Sequence, residues 1–359
     1  MNWIRISLWY FGFSLFLFFL GDLAFTKLIG LSDPYANEKR YRIKHSYYHH
    51  TFSKNYQGRR PWGIDEYYMC TDEHGFKVSC SQNTSSGNSF DIVFIGDSFT
   101  EAIGMPYENS FVGMFASNYP KLRVANLGVT SYSPSIYLNK IESTLSEGLR
   151  FNHVVVFIDI SDIQDEAFYY RKASNGSIYT KSFKDKNQTL LFIQAKKFVK
   201  RNFHLFWYEH LRTKELVFDE DKGLKRRSEW THNAKSEYYG ELGVDGAVKK
   251  AVYNMTQLHE LLLTNGIKLS VGVYPWPEQL KYFDNDENRQ EKIWREFCDN
   301  RCEMFINVFP DFNDLVESIG VDETYNRFFI EGDVHFNKYG NEIIFRELKR
   351  EYENLISVN

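Results

Sequence analysis

The sequence predicts an α/β protein: a parallel five-stranded sheet with helices on both faces, preceded by an N-terminal transmembrane helix. Three observations carry that expectation. From Asp91 onward, short β-branched apolar runs alternate with helix-periodic stretches, the pattern of successive βα units. The run at 154–158, Val-Val-Val-Phe-Ile, is apolar at every position, as a strand covered on both sides of a sheet must be. Residues 6–20 carry no charge, in a chain whose mean hydropathy is only −0.45. Apolar character is therefore concentrated at one end, which excludes a polytopic membrane protein.

At 359 residues the chain suits one large α/β domain with insertions, or about two domains. Hydrophobic residues make up 43% and charged residues 25%, with 8 prolines and 22 glycines, which excludes disordered and collagen-like classes. A net charge of −4 leaves no electrostatic footprint for nucleic acid, so no nucleic-acid partner is expected. Aromatic residues reach 17%; core filling accounts for them more simply than stacking on sugars.

Taken in order, the first element is an N-terminal membrane anchor over 1–25. Its stretch from Ile6 to Phe25 reaches the roughly 20 residues that a bilayer core requires. An uncleaved signal anchor fits better than a cleaved signal peptide, because Gly21-Asp-Leu-Ala-Phe-Thr26 offers a poor small-x-small site. Arg5 flanks one end, while Asp22 and Lys27 offset each other at the other, so charge alone orients the helix only weakly. Residues 26–88 show turn signals and little periodicity, and are read as an extended linker segment. His45, His49 and His50 within it lack the accompanying acids or thiols of a metal site and are read as packing or solvated residues. Cys70 with Cys80 and Cys298 with Cys302 form two local pairs, which suits an oxidising compartment, although four free thiols remain an alternative.

The main domain spans 89–359. Strands are expected at 91–95, 123–126, 154–158, 269–274 and 304–307. Helices are expected at 111–119, stopped by Pro120, and at 134–148, with Pro134 in its first turn. Further helices are expected at 244–265, ended by Gly266, at 289–299, and at 338–356 with Ile343, Ile344, Leu348 and Leu355 as its buried stripe. A charged, aromatic-rich insertion at about 163–243 interrupts the alternation. Ligand sites on such sheets lie at the carboxyl ends of the strands.

Those ends carry the candidate chemistry. The first strand runs into Gly96-Asp97-Ser98, which puts a serine at the tip of a sharp turn. Near the other terminus, Asp333-Val-His335 in a loop allows the carboxylate to accept from imidazole Nδ1–H. Nε2 is then free to take a proton from a hydroxyl. Gly96-Asp97-Ser98, Asn126-Leu-Gly128 after the second strand, and Asp333-Val-His335-Phe-Asn337-Lys-Tyr-Gly340 together resemble the blocks of the SGNH hydrolase superfamily, the GDSL esterase and lipase group. The resemblance covers residues 88–357. It implies a flavodoxin-like three-layer α/β/α sandwich, with Ser98 as nucleophile, His335 as base and Asp333 as orienting acid. It also implies an oxyanion hole from the Ser98 and Gly128 backbone N–H groups, and no cofactor.

Two departures qualify the resemblance. The acid and base are separated by one residue rather than two, as in the subgroup resembling alginate and cell-wall acetylation proteins. The third block reads Asp159-Ile-Ser161-Asp162, so Ser161 stands where the family's oxyanion-binding asparagine is expected. Asp159, Asp162, Asp165 and Glu166 are read as a helix start or solvated loop rather than a cation site, and no metal is expected. The resulting expectation is a serine esterase or O-acyltransferase acting on O-acyl esters of extracytoplasmic carbohydrate, held at the membrane by its N-terminal helix. A membrane-tethered glycan-binding or assembly protein that keeps the fold is the alternative.

Overall fold

The computed structural model describes residues 2–28, 41–62, 65–81, 87–180, 225–281 and 288–358, together with 195, 198, 199, 202, 203, 205 and 206. Two units are distinguished. One comprises Met1–Arg40, Gly63–Asp65 and Phe183–Asp219; the other comprises Tyr41–Trp62, Glu66–Ser182 and Glu220–Asn359.

In the first unit, helix α1 (Asn2–Leu28) is long and apolar enough to cross a membrane. In the second, the elements in order are β1 (Arg42–His45), β2 (His49–Phe52), β3 (Gln57–Trp62), β4 (Asp65–Thr71), β5 (Lys77–Val78) and β6 (Ser89–Ile95). They are followed by α2 (Ser98–Glu101), α3 (Phe111–Asn118), β7 (Val124–Asn126), α4 (Pro134–Ser146), β8 (Arg150–Ile158) and α5 (Asp162–Phe168). Next come the strands β9 (Tyr170–Lys172) and β10 (Ile178–Thr180), then α6 (Lys225–Ser228), α7 (Gly243–Thr264), β11 (Lys268–Val273), α8 (Pro277–Lys281) and α9 (Arg289–Cys298). The chain closes with β12 (Phe305–Asn307), α10 (Phe309–Ile319), α11 (Val321–Phe328) and α12 (Lys338–Val358).

The principal sheet has eight strands in the order β12-β11-β8-β6-β7-β5-β4-β3. The first five are parallel to one another. Numbered along the chain, those five lie in the order 2-1-3-4-5, the doubly wound arrangement of flavodoxin-like folds. The all-apolar run of β8 lies between β6 and β11, with Val93 beside Val154 and Val271 beside Val156, so both its faces are covered. Helix α7 packs on α4 and α5, and α12 packs on α3.

The main departure from expectation is the segment 26–88. The part from Arg42 to Val78 is no linker: it supplies the β1–β2 hairpin and extends the sheet from five strands to eight through β3, β4 and β5, with β4–β5 and β5–β7 antiparallel. The physical reason is that its inward positions include cations, which a hydrophobic pattern cannot flag. Lys77 is fully buried, and its Nζ donates to the carbonyls of Glu101, Ala102 and Met105 at 2.8, 2.9 and 2.8 Å. Arg60, only 2% exposed, donates from Nη1 to Glu101 Oε1 at 2.7 Å, with its guanidinium 4.0 Å from the centre of the Tyr41 ring. Both cysteine pairs are disulfides: Cys70–Cys80 bridges the β4–β5 region, and Cys298–Cys302 closes one turn after α9. Two helices that the pattern did not signal, α10 and α11, lead into the loop that carries Asp333 and His335.

Burial pushes the Glu101 carboxyl up, but Arg60 and Arg42, the Thr130 hydroxyl and Lys77 outweigh it and hold it down to about 2. Removing Arg60 leaves the Glu101 carboxylate buried and without its closest cation, with only Arg42 and Thr130 still on its other oxygen. Arg60→Met, which keeps the volume and deletes the charge, is expected to lower unfolding stability by about 3–5 kcal/mol. Denaturant unfolding of the whole chain in detergent measures this, and a midpoint equal to that of the parent contradicts the assignment.

Candidate active site

The site starts at the tip of β6. At Gly96, an added Cβ would lie 2.1 Å from Thr100 Oγ1 and 2.8 Å from the Phe157 carbonyl oxygen, so only glycine admits this close turn. Asp97 caps α2 by accepting from Phe99 N–H at 2.9 Å, which sets Ser98 as the first residue of that short helix. The turn after β7 packs directly on it: a Cβ at Gly128 would meet Glu101 N at 2.7 Å. Asn126 fastens the two by donating from Nδ2 to the Thr100 carbonyl at 2.7 Å.

The loop between α11 and α12 brings the other two residues to Ser98. His335 Nε2 lies 2.8 Å from Ser98 Oγ, and His335 Nδ1 lies 2.6 Å from Asp333 Oδ1. The carboxylate selects the Nδ1–H tautomer, so the Nε2 lone pair faces the serine hydroxyl. The loop is held by an antiparallel bridge between Phe329 and Phe336. Tyr325 adds to this: its hydroxyl accepts from Asp333 N–H and lies 3.2 and 3.1 Å from the Ile330 and Asp333 carbonyls, which share its one proton. The second carboxylate oxygen, Asp333 Oδ2, accepts from Trp62 Nε1 at 2.6 Å, and the Trp62 ring stands edge-on to His335 at 5.4 Å. No motif announces Trp62; it comes from the strand β3 that had no place in the expected fold.

A second acceptor faces the same serine. Asp97 Oδ2 lies 3.0 Å from Ser98 Oγ, and the hydroxyl has a single proton to give. Asp97, Asp159 and Asp162 are all fully or nearly fully buried, with an oxygen of each within 4.8 Å of the others. Their donors include Phe99 N–H and Tyr274 Oη on Asp97 at 2.9 and 3.4 Å, Trp276 Nε1 and Ser161 N–H on Asp159 at 2.6 and 2.8 Å, and Tyr137 Oη and Asp159 N–H on Asp162 at 2.8 and 3.3 Å. Asp162 Oδ1 has no partner among the described residues. Burial, and then the charge of Asp159, push the Asp97 carboxyl up to about 8; burial and Asp97 push Asp162 well above the carboxylate range. Asp97 and Asp162 therefore retain protons near neutrality.

Of the reading of Asp159, Asp162, Asp165 and Glu166 as a helix start or a solvated loop, the second alternative is corrected. Asp162 does open α5, but all four are buried. Asp165 pairs with Arg227. Glu166 accepts from the Ser133 and Ser135 hydroxyls, from Ser135 N–H and from Lys250 Nζ. Pairing supplied from distant elements is what allows these acids to be inside. The histidines of the N-terminal segment are packing residues: His45 stacks on Tyr48, and His50 Nε2 lies 2.8 Å from the Thr130 carbonyl.

The candidate oxyanion donors are not equivalent. Ser98 N–H makes no hydrogen bond among the described residues. Gly128 N–H is already donated to Asn126 Oδ1 at 2.9 Å. Ser161 stands beyond the carboxyl end of β8, 3% exposed, its backbone N–H held by Asp159 and its hydroxyl without a hydrogen bond among the described residues.

His335 is pulled both ways. Burial disfavours its charged form, but Asp333, by charge and hydrogen bond, and then Asp97 and Asp159 outweigh this and set its pKa above the ordinary imidazole value. Asp333 is held below the usual carboxylate range: burial opposes this, but the charge and hydrogen bonds of His335 and the bond from Trp62 prevail.

No family model and no curated protein sequence matches the chain. Among solved structures, the chain is similar to a member of the lipolytic G-D-S-L family from Veillonella parvula, with 12% identity over 72% of this chain and 96% of that one and a TM-score of 0.38. It is similar to a psychrotrophic esterase from a Pseudoalteromonas species, with 11% identity over 76% and 100% and a TM-score of 0.37. It is also similar to a catalytic mutant of an acetylxylan esterase from Geobacillus stearothermophilus, with 12% identity over 75% and 96% and a TM-score of 0.40. The chemistry of the site rests on its own distances.

Asp97 gives a stability test with a definite sign. Its carboxyl titrates at about 8 in the folded chain, against about 3.9 when unfolded. The folded state thus holds the proton longer, and the contribution to stability, full below about 3.9, is lost as pH rises through about 8. Asp97→Asn keeps the cap acceptor and removes the titration. Its melting temperature relative to the parent is expected to climb steadily between about pH 4 and pH 8. A gap that stays constant across that range contradicts a protonated Asp97.

Proposed function

We propose that the protein is a serine-dependent ester-handling enzyme, an esterase or O-acyltransferase, acting through an acyl-serine intermediate. The observation that carries this reading is the Ser98–His335–Asp333 chain, at 2.8 and 2.6 Å, at the carboxyl end of the sheet. Ser98 Oγ attacks the acyl carbon as its proton passes to His335 Nε2. The acyl C–O bond then breaks, and the Nε2 proton goes to the departing oxygen, leaving the acyl group on Ser98. Water or a second hydroxyl, deprotonated by His335, attacks the acyl-serine and regenerates Ser98 Oγ–H. One site thus serves hydrolysis and transfer, and the acceptor decides between them.

The substrate class we assign is O-acyl, chiefly O-acetyl, ester on extracytoplasmic carbohydrate. Three features support it: the Asp-x-His spacing that resembles polysaccharide acetylation proteins, two disulfides that suit an oxidising compartment, and a helix able to tether the site at a membrane. The catalytic domain then faces the periplasmic or outer side of that membrane.

A fluorophosphonate probe is expected to label the whole protein at Ser98 and to leave Ser98→Ala unlabelled; an unlabelled parent chain contradicts the catalytic reading and favours a binding protein. With a small acetyl ester, kcat/KM should rise with pH through a pKa above about 6.5, because the neutral form of His335 is the base. Asp333→Asn should move that limb to lower pH and reduce kcat by about 10³–10⁴-fold, since it removes both the charge and the tautomer control. Trp62→Phe deletes one bond to Asp333 and should lower kcat about tenfold with KM little changed. An unaltered kcat would make Trp62 a packing residue only.

A further inference from the structure

We infer that Phe198, Phe203, Leu205 and Phe206 of the insertion belong to a second membrane-contacting element, seated on the anchor helix and facing the lipid of the bilayer that α1 crosses. The observation behind this is the treatment of Asp22. An acid within an apolar helix is costly in hydrocarbon unless its oxygens are satisfied by protein. Asp22 is 1% exposed, and both oxygens are occupied: Oδ1 accepts from Leu205 N–H at 3.0 Å and from Thr26 Oγ1 at 3.2 Å, and Oδ2 accepts from Phe206 N–H at 2.9 Å. One turn back on the same face, the Phe19 ring meets Phe203 at 5.3 Å and Phe206 at 5.4 Å.

The depth of this contact follows from helix geometry. At about 1.5 Å per residue, α1 is about 40 Å long, roughly 10 Å more than a hydrocarbon core. Asp22 lies about 9 Å from the end of α1, so in a centred helix it sits just inside the lipid boundary. Whatever is seated on Phe19 and Asp22 is at that boundary too. Phe198 is 60%, Leu205 39% and Phe206 40% exposed, and Phe16, Phe18 and Leu20, which flank Phe19 on α1, are 62%, 47% and 51% exposed. The stretch 195–206 contains Lys196, Lys197, Lys200 and Arg201 and no acid. Exposed aromatics beside basic residues are the composition of segments that lie in an interface containing acidic phospholipid. This also explains why Asp22 stands in an otherwise apolar run: it fastens the insertion to the anchor, and α1 is then a structural part of the fold rather than a leader to be discarded.

All four cysteines are in disulfides, so a single introduced cysteine can carry a nitroxide label. The full chain, reconstituted in phosphatidylcholine–phosphatidylglycerol vesicles, is labelled in turn at Phe198→Cys, at Phe206→Cys, and at Ser146→Cys on the exposed face of α4 as a control. Collision with oxygen is expected to exceed collision with a water-soluble nickel chelate at 198 and 206, and the reverse is expected at 146. Labels at 198 and 206 as open to nickel as the one at 146 overturn the proposal. Labels shielded from both reagents indicate a protein partner and overturn it as well. Adding Asp22→Ala should raise nickel access at 206 severalfold; unchanged access means that Asp22 does not hold the segment. Labelling of Ser98 by the fluorophosphonate probe, where it occurs, reports independently that the Asp22 variant has folded.

Discussion

The interaction on which the site depends is the buried pair between Arg60 and Glu101, 2.7 Å apart with both side chains out of solvent. Glu101 is the last residue of the helix that Ser98 begins, and Arg60 lies on a strand from the far side of the sheet's edge. Charges desolvated to this extent are tolerated only when their geometry is complete. Here completion comes from Thr130 N–H and Oγ1 at 2.7 and 2.6 Å, from Arg42, and from Lys77 on the neighbouring carbonyls. The nucleophile turn is thus clamped from the strands that precede it in the chain. Because side chains two apart share one face of a strand, Arg60 and Trp62 reach inward together. One strand fixes both Ser98, through Glu101, and Asp333, through the indole N–H.

The parts of this arrangement that were legible in the sequence are local. A glycine forced by close approach, a serine one residue beyond a capping aspartate, and an acid two residues before a histidine are each determined by a few neighbouring residues, and motif and geometry coincide. The five parallel strands were legible because each carries a short run rich in apolar residues, unbroken in β8 from Val154 to Ile158. The order and the eight-strand extent were harder. Strands β3 to β5 bury Arg60 and Lys77, and an inward arginine reads as a loop until its partner, 41 residues away, is known. The acids after β8 were legible as a helix start, which Asp162 makes, but not as buried. Asp159, Asp162, Asp165 and Glu166 read as solvated because nothing near them in sequence neutralises them; Arg227, Lys250, Trp276 and the hydroxyls of α4 do so from afar.

Those acids shape the electrostatics beneath the serine. A carboxylate group pressed together out of water keeps protons, and whatever charge it does carry favours the protonated imidazole above it. The consequence is an imidazole held above its ordinary pKa against the cost of burial, chiefly by the charge and hydrogen bond of Asp333. Asp97 contributes a further effect, since its Oδ2 competes with Nε2 for the one serine proton. A protonated, neutral Asp97 is the weaker competitor. Retention of its proton to about 8 therefore leaves the hydroxyl directed at His335 across the range in which imidazole can act as a base.

The same economy of donors governs charge stabilisation on the acyl oxygen. In sites of this kind each donor aimed at the developing oxyanion contributes about 10²–10³ in turnover, so their number matters. Gly128 N–H is spent on Asn126, and freeing it would require Asn126 to turn. But the other end of that amide holds the Thr100 carbonyl at 2.7 Å, inside the helix that positions Ser98. Recruiting Gly128 would thus loosen the nucleophile it was meant to serve. Ser98 N–H remains uncommitted, and Ser161 extends from β8, the neighbour of β6 in the sheet, with a hydroxyl that is also uncommitted. A hole resting on one backbone N–H and one short hydroxyl stabilises an oxyanion less than a hole of three fixed donors. Water and a hydroxyl acceptor would release an acyl-serine through the same oxyanion, so a sparse hole slows both routes alike and leaves the choice between them to the acceptor that reaches Ser98.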